Sequence, residues 1–221
     1  MCYGYKEIYG LEPIHAPRLH ARDVFQGCER MSIILASGSP RRYELLKMIG
    51  IKDFKVIADT SEEHITPGLS PEEQVNKLSL QKAQNVALSC SRDELIIAAD
   101  TLVYLDDEPL GKPDSRNDAK KMLRKLSGRM HSVYTGVTLL QDGSYISCAE
   151  KTDVYFREIS DNEIAAYVET GEPMDKAGSY AAQGGAAIFI ERIEGEFFNV
   201  MGLPLCRLSI MLKDFGVTER N

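Results

Sequence analysis

A small set of side chains interrupts the apolar patterning of this chain: Ser37, Arg41, Arg42, Glu62, Lys82, Asp100, Thr101, Lys112, Asp175, Lys176 and Gln183. The set supplies cations for phosphate oxygens, carboxylates that suit a divalent metal, and one amide able to read the edge of a base. It offers no Ser–His or Cys–His pair for nucleophilic catalysis. Such an inventory fits phosphoryl-group hydrolysis, where catalysis is mostly positioning, metal ions and charge stabilisation. The chain has no G-x-x-x-x-G-K-[ST] loop and no G-x-G-x-x-G after its first strand, which argues against a P-loop nucleotidase and a dinucleotide oxidoreductase.

These residues need elements to hold them. Ile33 to Leu35 reads as a strand, Ala36 to Ser39 as a small-residue loop, and Pro40 onward as a helix with Leu45, Leu46, Met48 and Ile49 on its apolar side. A loop feeding a helix start exposes N–H groups that suit an anion, and two adjacent arginines add cations. The same residues also read as a Ser39 cap with Pro40 at the first helical position and two solvated arginines. Both readings stay open on this stretch alone.

Ser70-Pro71-Glu72-Glu73 is a capping box that starts a helix running to about Leu88, with Val75, Leu78 and Val86 on one stripe. Lys82 falls on that stripe, so its ammonium either snorkels to water or meets an anion. Leu95 to Ala99 has the unbroken apolar character of a central strand, and Asp100-Thr101 reads as its carboxyl end, where ligands gather in open α/β sheets. A loop aspartate capping a turn is the alternative. Gly111-Lys112-Pro113 follows a turn from Asp106 to Pro109 and leads into a helix capped by Ser115. His131 to Leu140 and Tyr145 to Phe156 read as a hairpin about Gln141 to Ser144, and Ser160 to Glu163 as a second capping box. The polar, glycine-rich stretch from Glu172 to Gly185 is too long for mere connection. A strand from Ala186 to Ile193, a glycine-bearing turn and a helix from about Pro204 follow.

The chain of 221 residues carries 26 basic and 33 acidic side chains, a net charge of −7 that argues against a whole-surface nucleic-acid binder. Its 5 cysteines share no C-x-x-C spacing and read as reduced, mostly buried thiols of an intracellular protein. No apolar stretch approaches a membrane span, and the N-terminus lacks a signal-peptide segment. Residues 1–31 read as an extension without a firm period, and 32–216 as the folded domain.

Seven segments, in order, resemble the motifs of the Maf family: Leu35 to Arg42, Ala99 to Val103, Gly111 to Pro113, Ser127 to Arg129, His131 to Val137, Thr170 to Gly184, and Asn199 to Pro204. The resemblance implies an elongated mixed α/β sheet with two lobes around a deep cleft, related to inosine triphosphate pyrophosphatases. It implies a cytoplasmic homodimer that cleaves nucleoside triphosphates to a monophosphate and pyrophosphate with Mg²⁺ or Mn²⁺. Carried over, Asp100 resembles the catalytic proton acceptor, and Glu62 falls in an acidic loop that helps hold metal or water. Ser37, Arg42, Lys82 and Lys112 match phosphate-contacting positions, and Lys176 lies in the sixth motif. Arg41, Thr101 and Gln183 match positions that separate subfamilies, and Gln183 points to the branch acting on dTTP and UTP. An amide both donates and accepts, which suits the imide edge of a pyrimidine. The alternatives are a nucleotide-binding regulator of cell division without turnover, since the family has been associated with that role, and a housecleaning hydrolase that prefers modified nucleotides.

Overall fold

The computed structural model describes residues 32–61, 63–215 and 217. The expected extension over 1–31 and Glu62 lie outside the described residues. Strand β1 (Ile33–Ala36) is buried along its whole length, as a central parallel strand of branched residues must be. It pairs in parallel with β2 (Phe54–Val56) on one side and β3 (Leu95–Leu105) on the other. Antiparallel β5 (Met130–Gln141), β6 (Ser144–Phe156) and β7 (Ile190–Glu194) extend the sheet beyond β3. Short β4 (Glu108–Leu110) joins β3 on the side of β1, further along. The result is a 7-stranded mixed sheet in an α/β fold.

The helices divide between its faces according to the alternation of side chains along β3. On one face Ile96 and Ala98 pack with Ala83 and Val86 of α2 (Pro71–Ala87), and Leu102 and Tyr104 with Val75 and Leu78 of the same helix. Each fully buried aliphatic side chain stabilises that docking by about 2 kcal/mol relative to exposure. On the other face Leu95, Ile97 and Ala99 meet α1 (Pro40–Met48) and α6 (Leu205–Asp214). Further along it, Val103 and Leu105 meet α3 (Arg116–Leu126) and α4 (Asp161–Glu169). The sheet is thus shared by two differently clothed halves.

Both capping boxes form: the Ser70 hydroxyl accepts from the Glu73 N–H at 3.2 Å while Glu73 accepts from the Ser70 N–H at 2.8 Å, and Ser160 and Glu163 repeat the exchange. The hairpin turn places Asp142 and Gly143 at positive φ, as a two-residue turn between twisted strands requires. Gly136 on β5 is needed for a different reason. A Cβ there would lie 2.2 Å from the Val75 carbonyl oxygen, so α2 rests with its backbone on the sheet.

Several expectations are corrected. β3 does not end at Asp100 but runs on to Leu105, because β5 pairs with it continuously from Ile96 to Tyr104. Glu108 and Pro109, read as the end of a turn, belong to strand β4, and the turn after β7 contains the short helix α5 (Phe197–Val200). The stretch from Gly185 to Phe189 is a 3₁₀ turn, and β7 begins only at Ile190. Cys90 and Cys148 are half-buried and Cys206 exposed, all three free, so these thiols are less buried than their type suggests.

Candidate active site

Along one edge of β3 two neighbours follow each other with a gap between them. β1 pairs with Leu95 to Ala98 and β4 with Val103 to Leu105, which leaves Ala99 to Leu102 without a strand partner on that side. The chain leaves β1 through Ser37, Gly38 and Ser39 and departs β4 through Gly111 and Lys112. A cleft of about 350 Å³ opens at this fork. Of the residues expected from the sequence, Ser37, Arg41, Arg42, Lys82, Asp100, Thr101, Lys112, Lys176 and Gln183 all line it. Asp100 therefore reaches the cleft from mid-strand, at the carboxyl end of β1 and not of its own strand.

Asp100 points toward α2. It is 3% exposed, and its Oδ1 accepts a hydrogen bond from Lys82 Nζ. The same ammonium lies 2.6 Å from Glu63 Oε1. Lys82 thus meets anions, and the snorkelling alternative fails, with its side chain only 13% exposed. Burial pushes the Glu63 carboxyl up, but the hydrogen bond and charge of Lys82, with Lys112 and Arg42, outweigh it and hold it below its ordinary value. Glu63 is therefore a carboxylate that joins Asp100 across Lys82, and the neighbouring Glu62, expected from the sequence, lies outside the described residues. Asp59, which the sequence reading also passed over, lines the cleft beside it.

Asp100 Oδ2 is buried without a hydrogen-bond partner. Among the described residues no group of three or more His, Cys, Asp or Glu could hold a metal by itself. Mg²⁺ and ions like it, however, commonly use one or two carboxylates and complete their shell with water and substrate phosphates. The open oxygen of Asp100, with Glu63 across the same ammonium, is a donor set of that kind.

Thr101 points to the opposite face, toward α1. Its hydroxyl accepts from Arg42 Nη2 at 3.0 Å, while Arg42 Nη1 donates to Ser37 Oγ at 3.1 Å and Nε to the Gly202 carbonyl at 2.7 Å. Behind it, Thr101 meets the Thr135 hydroxyl at 2.9 Å, and Thr135 donates to the Asn199 carbonyl at 3.0 Å. Three N–H groups of the guanidinium are engaged in this way, leaving one on each terminal nitrogen. Burial lowers the Arg42 pKa, with the Asp100 charge opposing it. Ser37 and Thr101 hold this arginine in place. Ser39 takes the N-cap position of α1 but makes no side-chain cap; its N–H donates instead to Ser37 Oγ at 3.2 Å.

The far wall comes from the glycine-rich stretch. The Gly178 N–H donates to the Gly111 carbonyl at 3.0 Å, tying this wall to the strand that leads to Lys112. Lys176 pairs with Asp175 and donates to the Glu172 carbonyl at 3.2 Å. The Ala181 N–H donates to Tyr167 Oη at 3.2 Å, and the Tyr180 hydroxyl meets His131 Nε2 at 2.8 Å. A clamp of buried aromatic residues thus fixes the backbone that presents Gln183, whose own side chain is exposed.

The family model for Maf-like protein matches residues 32–215. The chain is 49% identical over 190 residues to a dTTP/UTP pyrophosphatase of Caldicellulosiruptor bescii, covering 83% of this chain and 94% of the relative. It is 50% identical over 188 residues to a dTTP/UTP pyrophosphatase of Methanosarcina barkeri, covering 84% and 95%. Among solved structures, a HAM1 protein from Coxiella burnetii aligns with a TM-score of 0.45 at 18% identity, covering 83% of this chain and 99% of that one.

Proposed function

The chain belongs to the Maf family, and from that premise we propose that it is a nucleoside triphosphate pyrophosphatase that hydrolyses dTTP and UTP to the monophosphate and pyrophosphate. The observation that carries this reading is the convergence of Asp100 and Glu63 with Arg41, Arg42, Lys82, Lys112 and Lys176 on one cleft at the fork of the sheet. A buried acid with an open oxygen stands where a water can be held. The cations stand where a triphosphate can be neutralised.

Asp100 orients the water that attacks the α-phosphorus and takes its proton through the unpartnered Oδ2. Arg42, fixed by Ser37, Thr101 and Gly202, presents its two remaining N–H groups, and Lys82 and Lys112 add charge where the pyrophosphate leaving group becomes more negative. Little covalent chemistry falls to the protein in such a reaction, so the placement of charge does most of the work. Asp100 and Glu63 are the residues that would hold Mg²⁺ or Mn²⁺. When bound, such an ion supplies further charge neutralisation and a more acidic water. Gln183, at the rim, reads the imide edge of uracil or thymine through one donated and one accepted hydrogen bond.

The same reading makes the protein a cytoplasmic homodimer acting on free nucleotides. No helix among the described residues is long and apolar enough to cross a membrane. The test is to incubate the purified chain with Mg²⁺ or Mn²⁺ and a panel of triphosphates. Pyrophosphate and dTMP or UMP are expected in equal amounts; binding without turnover would favour the regulatory alternative, and release of orthophosphate would place the cut at another bond.

A further inference from the structure

Helix α2 does more than deliver Lys82. Gln74, near its start, is 1% exposed, although a buried amide in a helix stripe is costly unless both its ends are bonded. Both ends are used on the loop before the helix. Gln74 Oε1 accepts the Thr66 N–H at 2.8 Å, and Nε2 donates to the His64 carbonyl at 3.4 Å. Asn85 lies about three turns further on, roughly 16 Å along the same side of the helix. Its Nδ2 donates to Asp59 Oδ2 at 3.2 Å and to Ser61 Oγ at 3.0 Å. Asp59 in turn accepts the Ser61 N–H at 3.1 Å. Among the described residues from Ala58 to Ile65 the loop has no helix or strand of its own, so its polar groups depend on such partners. Glu63 falls between the two grips, and Lys82 falls between Gln74 and Asn85.

From this we infer that Gln74 and Asn85 are positioning residues that clasp the loop at both ends and so hold Glu63 opposite Asp100 across Lys82. The inference rests on the role given to Glu63 in the proposed function. Neither residue touches the reacting atoms. Both act through the loop, and their loss leaves the phosphate-binding cations on α1, after β4 and in the far wall where they are. Freeing the loop therefore lowers kcat more than it raises KM, because an acid displaced by about 1 Å costs rate steeply.

The test uses the full chain with Mg²⁺ and dTTP. Gln74→Met, similar in length but without either hydrogen bond, is expected to lower kcat by about tenfold or more with KM changed less than about threefold. Amide hydrogen exchange over residues 59–66 is expected to quicken while that of β3 stays as it was. Asn85→Ala, at a half-exposed position, is expected to reproduce the effect at residues 59–61 and serves should Gln74→Met fail to fold. Because the clasp acts through Glu63, adding Gln74→Met to Glu63→Gln is expected to cost little further kcat. Losses that multiply, or loop exchange left unchanged, would overturn the inference. Full kcat in Glu63→Gln alone would overturn the reading beneath it, and exchange still quickened by Gln74→Met would identify that failure as the one that occurred.

Discussion

Replacing Gly136 by alanine adds one methyl group at the point where α2 lies on the sheet. The new Cβ would stand 2.2 Å from the Val75 carbonyl oxygen, 2.4 Å from its carbon and 2.8 Å from the Asn76 nitrogen. All three are backbone atoms, so no side chain can swing aside. Ordinary contact begins near 3.4 Å, and the helix must retreat by about 1.2 Å at that turn. Overpacking of this sort costs about 2 kcal/mol, which in a domain of this size lowers Tm by about 4–8 °C. The same displacement reaches the site, since Gly136 is paired with Asp100 across β3 and β5 and α2 carries Lys82. A shift of about 1 Å in a positioned group costs up to about 100-fold in rate. Thermal melting and pyrophosphate release measured on the same preparation give both quantities. A Gly136→Ala variant with unaltered Tm and unaltered kcat would refute the close approach and the coupling drawn from it.

Lys82→Met removes the ammonium shared by Asp100 and Glu63; leaving the nearly buried Asp100 carboxylate unpaired is expected to cost about 3 kcal/mol of stability, and Asp100→Asn in the same chain should recover much of it. Denaturant melts of the two single variants and the double variant check this, and strictly additive losses would contradict it. His131 is buried and its pKa is lowered to about 4, chiefly by burial, so the unfolded chain binds a proton between pH 6.5 and about 4 that the folded chain does not. Its contribution is therefore complete above pH 6.5 and is lost as pH falls toward 4, about 3 kcal/mol across that window. His131→Gln, which can still meet the Tyr180 hydroxyl but does not titrate, is expected to flatten the fall in stability over that range in pH-dependent melts.

Much of this site is legible in the sequence because its signals are local or because they break a pattern. Ser70 with Glu73, and Ser160 with Glu163, declare helix starts within four residues. Lys82 and Asp100 stand out because each puts a charge where an apolar residue would otherwise pack, and the structure brings those two together. What sequence could not supply depends on distant pairing. Asp100 looks like a strand end until β5 is laid beside it, and the opening at the site exists only because β1 stops and β4 starts on the same edge. Glu63 sits in a loop without period, so only its pairing with Lys82 in the folded chain singles it out. Gln74 and Asn85 look like ordinary solvated helix positions, and their task becomes visible only when the loop folds back against them.

The most direct test of the central claim is single-turnover release of pyrophosphate from dTTP by the native chain and by Asp100→Asn, with binding of dTTP measured alongside. Removing the buried acid Asp100 at the fork should cost about 3 kcal/mol of barrier, slowing release by roughly 100-fold or more while dTTP still binds. Release at the native rate from Asp100→Asn would contradict the account.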